Sequence, residues 1–96
     1  DYYRATLNGY PQLLRGKGLS NAQIGIHAGA ADTSLSLAID ASMVRPDNFV
    51  AAAQGGVAVG VEGDPRVASA ALGQLGVDLI VQHTVSAIRQ AIAARR

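Results

Sequence analysis

The last third of the chain constrains the fold more than any other stretch. "DPRVASAALGQLGVDLIVQHTVSAIRQAIAARR", residues 64–96, carries Val77, Val81, Val85, Ile88 and Ile92 at helical spacing, which predicts one long amphipathic helix. Asp64 is a suitable N-cap and Pro65 a suitable first helical residue. The closing Arg95-Arg96 complements the negative end of the helix dipole. Gly73 and Gly76 each cost about 1 kcal/mol relative to alanine inside a helix, so they point to a close backbone contact or a kink. Such a helix needs a body to pack on, and the rest of the chain has little bulk to offer. Its 96 residues allow one small domain and include one Phe, three Tyr and no Trp. The apolar residues are mainly Ala, Val, Leu and Ile, which bury less area each than aromatics. A chain so built is expected to lean on other protein for part of its burial.

Further elements read less firmly. Residues 2–14 predict a helical segment, interrupted at Gly9 and Pro11 because proline costs about 3 kcal/mol in a helix interior. "RGKGLSNAQ" reads as a loop with two glycine stops, and "AQIGI" as a short strand ending at His27. "HAGAADTSLSLAIDASMV" predicts a second helix with Leu35, Ile39 and Met43 on its apolar side, and "RPDNF" a turn. In "GGVAVGVEGDP" the alternation of Val57, Val59 and Val61 predicts a short extended segment. These elements together predict an α/β fold.

Several function classes drop out. A net charge of +1 with interspersed signs offers no basic stripe for nucleic acid. Zero cysteines exclude disulfides, thiolate metal sites and cysteine nucleophiles, and a cytoplasmic location is expected. No apolar run approaches the roughly 18 residues of a membrane span, and no signal-peptide core is present. The chain starts at Asp1 and its one methionine is Met43, so it is expected to be a processed or partial polypeptide.

The chemistry-bearing candidate is His27. Its small neighbours Ala28 and Gly29 would let a ligand reach the imidazole and the backbone N–H groups, at the positive end of the helix that follows. The plainer alternative is a loop histidine bonded to a backbone carbonyl. Asp32 has two uses, capping that helix or orienting the imidazole. Thr33 and Ser34 lie outside any G-x-S-x-G elbow and read as helix or cap residues. His83 reads as a surface residue, and the two histidines have no metal-site spacing. The glycines of "GGVAVGVEGDP" fit neither phosphate-binding pattern, G-x-x-x-x-G-K-[ST] or G-x-G-x-x-G.

Two stretches resemble one family. "HAGAADTSLSLAI" (His27 to Ile39) is similar to the H-A-G-x-x-E-T-S segment of the creatininase (creatinine amidohydrolase) family. "GVEGDPRVASAALGQLGVDLIV" (Gly60 to Val81) is similar to that family's G-V-x-G-D-P-x-x-A-x-x-x-x-G segment and terminal helix. Their order and separation also agree, and the likeness runs from Gln23 to the C-terminus. The resemblance implies the C-terminal part of a three-layer αβα creatininase-like domain more than twice this length, spread here over residues 1–96.

The same resemblance implies a metal-dependent hydrolase acting on the C–N bond of a small, often cyclic, amide. Two divalent ions, zinc, manganese or similar, would be held mainly by Glu, His and Asp residues of an N-terminal portion or a separate larger chain. His27 matches the family's active-site histidine and would pass a proton to the leaving nitrogen, Ala28 and Gly29 would bind substrate, and neither these three nor Asp32 would ligate metal. Asp32 stands where the family has Glu, one methylene shorter, in an orienting role. Gly63, Asp64 and Pro65 would form the turn that anchors the last helix. No aromatic stands upstream of the histidine, where "QIG" occurs, which leaves creatinine itself less supported than amide hydrolysis. The complete unit is expected to form a closed homo-oligomer. Two other readings stand beside this one: a non-catalytic relative that binds or assembles, and an independent α/β binding module.

Overall fold

The structure, a computed structural model, describes residues 2–95. Asp1 and Arg96 lie outside the described residues, and with them half of the Arg95-Arg96 pair at the helix end. The described chain is mostly helical. Helix α1 spans 2–16, α2 is Asn21–Ile24, α3 is Ala30–Ile39, α4 is Phe49–Gly55 and α5 is Ala70–Ala94. Four single 3₁₀ turns link the later elements, at Ala41–Met43, Pro46–Asn48, Gly56–Val59 and Pro65–Val67.

The expected α/β architecture, and with it a three-layer αβα creatininase-like domain, is therefore overturned: the described residues form no sheet. The one extended pairing is an isolated antiparallel bridge between His27 and Glu62. Both expected strands fail for identifiable reasons. "SNAQ" is a capping box, in which the Ser20 hydroxyl accepts the Gln23 N–H at 3.2 Å while Gln23 Oε1 accepts the Ser20 N–H at 2.9 Å. That closes α2 over most of the "AQIGI" segment, and Gly25 at φ 72° ends it. The valine alternation at 57–61 has no strand to pair with among the described residues, and the backbone closes on itself as a 3₁₀ turn ending in left-handed Gly60. Val57 and Val59 are left exposed, and Val61 alone is buried.

Helix α1 absorbs its proline without breaking. Residues Ala5–Gly9 widen into a π-helical turn, in which the Tyr10 N–H reaches back to the Ala5 carbonyl. Pro11 then enters the first turn of the α-helical part, Tyr10–Gly16, where its missing N–H is tolerated. "RPDNF" is a turn as expected, but its Phe49 opens α4, whose three consecutive alanines favour helix.

The long C-terminal helix is present, though it starts at Ala70 rather than Pro65. Ser69 is its N-cap, accepting the Leu72 N–H at 3.1 Å, and Asp64 instead caps the preceding 3₁₀ turn by accepting the Arg66 N–H. The first half of α5 lies across α3. Glycine makes this crossing possible: a Cβ on Gly73 would sit 1.7 Å from the Ser34 carbonyl oxygen, and one on Gly76 would sit 2.7 Å from the Tyr10 ring. Close contact accounts for both glycines. The core lies at this crossing, with Tyr10, Leu14 and Ile24 buried and Leu19, Leu35, Leu72 and Leu79 packed around them. Ile39 and Met43, expected on the apolar side of α3, are exposed. The second half of α5 leaves the body altogether: every residue from 81 to 95 is exposed, including Val81, Val85, Ile88 and Ile92. Among the described residues no helix is long and apolar enough to cross a membrane.

Candidate functional site

Residues 23–29 and 60–65, the two stretches that carry the histidine and the "VEGDP" turn, are bound to each other through their backbones. The Glu62 carbonyl accepts the N–H groups of Ile26 (2.7 Å) and His27 (3.3 Å), and the Glu62 N–H donates to the His27 carbonyl at 2.9 Å. The Asp64 N–H donates to the Gln23 carbonyl at 3.0 Å. Three glycines allow this approach. A Cβ on Gly25 would fall 2.0 Å from the Glu62 oxygen, and one on Gly63 would fall 2.5 Å from the Gly29 Cα. Gly25 and Gly63 also hold positive φ, at 72° and 149°, a region costly for residues with a Cβ.

Immediately after the bridge the chain turns sharply. Ala28 holds φ 53°, the only non-glycine residue among those described with positive φ. Such a conformation costs an L-residue roughly 1–2 kcal/mol and persists only where neighbours impose it. Two side chains of α3 do so. Asp32 Oδ2 accepts the Ala28 N–H at 3.0 Å, and the Thr33 hydroxyl donates to the Ala28 carbonyl at 3.3 Å. Asp32 thus serves as the turn's cap. Gly29 is buried against the Ile24 carbonyl and the Gly63 Cα. The His27 imidazole stands on the outer side of this turn, exposed.

Next to the turn lies an open cleft of about 380 Å³, lined by Ala28, Asp32, Arg45, Asn48, Phe49 and Val61 among others. Of the four residues singled out from the sequence, Ala28 and Asp32 line it, while His27 and Gly29 do not. Arg45, Asn48 and Phe49 were missed. Their signal, "RPDNF", reads as a plain turn, yet that turn is what carries a guanidinium, an amide and an aromatic ring to the cleft wall. The cleft combines one carboxylate and one guanidinium with an apolar lining, a setting for a small polar molecule with an apolar part.

Other polar groups serve the fold. Ser34 is buried, and its hydroxyl accepts the Ser69 N–H at 3.1 Å, so it anchors the start of α5. Asp64 pairs with Arg66 at 2.9 Å, and that hydrogen bond holds its carboxyl below the usual carboxylate range. Burial pushes the Tyr10 phenol up to about 12, with a smaller opposing pull from the Ser34 hydroxyl. His83 is exposed on the projecting half of α5. Among the described residues no group of three or more His, Cys, Asp or Glu could hold a metal ion. The family resemblance places the metal ligands mainly outside this chain, in an N-terminal portion or a separate larger chain. Comparison of the chain with protein-family models, with curated proteins and with solved structures returns no match.

Proposed function

We propose that this chain is the histidine-bearing portion of an amide hydrolase, complete only together with further polypeptide. The observation that carries the reading is the bridge between residues 26–27 and Glu62. It joins the two family-like segments through backbone hydrogen bonds and leaves His27 exposed beside Ala28, a cleft-lining residue. An imidazole so placed can pass a proton to a leaving nitrogen. The substrate class is a small cyclic or linear amide, of a size to enter a cleft of about 380 Å³. The divalent ions of such chemistry would need ligands from outside this chain. A homo-oligomer of the complete unit and a cytoplasmic location belong to the same proposal.

A second reading has a specific observation in its favour. The Asp32 carboxylate is committed to the Ala28 N–H, and the cleft's charged partner for a ligand is Arg45. On that reading the cleft binds a small anion-bearing molecule without turning it over.

One experiment separates the two. The chain is co-expressed with the N-terminal portion or separate larger chain that this proposal requires, supplied with zinc or manganese, and assayed for amine release from cyclic and linear amides. Hydrolysis that falls about 10²–10⁴-fold in His27→Ala supports the catalytic role. No turnover, with wild type and His27→Ala behaving alike, overturns it, and an affinity for small carboxylates lost in Arg45→Ala then carries the binding reading.

A further inference from the structure

The projecting half of α5 has no support from the body of the protein, although helices of about 12–15 residues are marginal in water by themselves. The molecule measures 53 × 26 × 24 Å. The exposed side chains along its outer face fall at positions 78, 81, 85, 88, 92 and 95: Asp78, Val81, Val85, Ile88, Ile92 and Arg95. The steps are three, four, three, four and three residues, the heptad rhythm of a two-helix seam. All four apolar members are β-branched and exposed, and the seam is closed by an acid at one end and a base at the other. The face continues upstream through Gln74 and Ala71, also exposed, while Leu72, Gly73, Gly76 and Leu79 meet the body on the opposite side. Nothing of the body obstructs the seam.

The charges decide what fits it. A second copy laid antiparallel, centred between Ser86 and Ala87, sets Val81 opposite Ile92, Val85 opposite Ile88 and Asp78 opposite Arg95. Two-fold symmetry repeats each pair, so both ends close with opposite charges. Arg89 falls beside Gln82 of the second copy on one flank. A parallel copy would instead set Asp78 on Asp78 and Arg95 on Arg95, repulsive at both ends. The antiparallel arrangement also keeps the two bodies at opposite ends of the pair. From this match of apolar rhythm and end charges we infer that residues 78–95 pair with the same segment of a second copy of this chain as an antiparallel two-helix coiled coil. The inference stands apart from the hydrolase reading, and its test involves no catalysis.

Sedimentation equilibrium of the 96-residue chain is expected to show a reversible monomer–dimer association. Two heptads form a small interface, so the expected Kd is on the order of micromolar. Val85→Asp should abolish association. Because that change also weakens the helix, a charge series makes the test independent of it. Asp78→Arg and Arg95→Asp are each expected to raise the Kd about tenfold, since each places like charges at both ends. The double variant Asp78→Arg/Arg95→Asp restores the wild-type value. In a parallel pair neither single change would remove or add a like-charge contact, so neither would weaken it. A chain that stays monomeric up to about 200 μM, well above the micromolar range expected for so small an interface, overturns the inference. So does a dimer in which the double charge swap fails to rescue the singles.

Discussion

Gly73 on α5 lies against the Ser34 carbonyl of α3 so closely that a Cβ would fall 1.7 Å from that oxygen. The Ser34 hydroxyl meanwhile holds the Ser69 N–H, one turn earlier on the same helix approach. The two contacts fix both the separation and the register of the crossing on which the small core depends. Since the atom met is backbone, no side-chain rotation relieves the overlap. Gly73→Ala should therefore lower unfolding free energy by at least about 3 kcal/mol. Gly16, at the end of α1, has open space around its Cβ position. Gly16→Ala should be neutral or stabilising by up to about 1 kcal/mol. Urea unfolding of the two variants beside wild type checks the pair, and equal stabilities would refute the crossing as described.

The turn bearing His27 can be tested the same way. Gly25→Ala combines positive φ with a Cβ 2.0 Å from the Glu62 oxygen, so it should separate residues 23–29 from 60–65. Gly56→Ala shares a positive φ of 56° but meets nothing within 4 Å, and should cost only the backbone penalty of its unusual conformation, about 1–3 kcal/mol. Hydrogen exchange distinguishes them. The amides of Ile26, Glu62 and Asp64 should lose protection in Gly25→Ala and keep it in Gly56→Ala.

Asp32 holds Ala28 in its left-handed conformation through a single carboxylate oxygen. Asp32→Ala should destabilise the protein by about 1 kcal/mol, and Asp32→Asn, which keeps an acceptor, by less. Ala28→Gly should recover part of the loss in the Asp32→Ala background, because glycine needs no imposed constraint at that φ. A double-mutant cycle from chemical denaturation measures this coupling. Strict additivity would mean that the carboxylate does not hold the turn.

How much of this was legible in the sequence depends on whether a signal was local. The long helix was, because its stripe spans several turns; its start was not, because Asp64-Pro65 and Ser69 both make good caps. The stripe itself misled in one respect. Helical spacing of Val81, Val85, Ile88 and Ile92 implies burial, yet the body ends before them. Gly73 and Gly76 left two options open, a close contact or a kink, because their cost in a helix requires some compensation; the structure has the close contact.

The expected strands failed because apolar alternation says nothing about a partner. Val57, Val59 and Val61 alternate well, but among the described residues no second strand of matching length accepts them. The S-x-x-Q box at Ser20–Gln23 was a readable helix start, outweighed in the sequence by the apolar "IGI" that follows. At the candidate site, the role of Asp32 as a cap was visible as one of two options, since acids favour the first helical turn. The cleft wall from Arg45 to Phe49 was not visible. It depends on where a 3₁₀ turn aims three side chains, which is a tertiary matter.

The Tyr10 phenol is fully buried and donates to the Leu72 carbonyl at 3.0 Å, so its ionisation is opposed by the fold. Burial raises it to about 12, against 10.0 for an exposed tyrosine. Below about pH 10 both folded and unfolded chains keep this proton, and its stabilising effect is complete. Above that the unfolded chain ionises first, and stability falls by up to about 1.4 kcal/mol per pH unit until the folded phenol also ionises near 12. Tyr10→Phe removes the proton and the bond to Leu72 together. The variant should be less stable than wild type by about 1–2 kcal/mol at pH 8, where the Leu72 carbonyl loses its partner. It should also lose stability more slowly between pH 10 and 12. Lysine and arginine titrations are common to both proteins, so they cancel in the difference. Urea unfolding at intervals from pH 8 to 12 gives the two curves. Convergence toward high pH is the expected result, and parallel curves would show that the buried phenol does not govern alkaline stability.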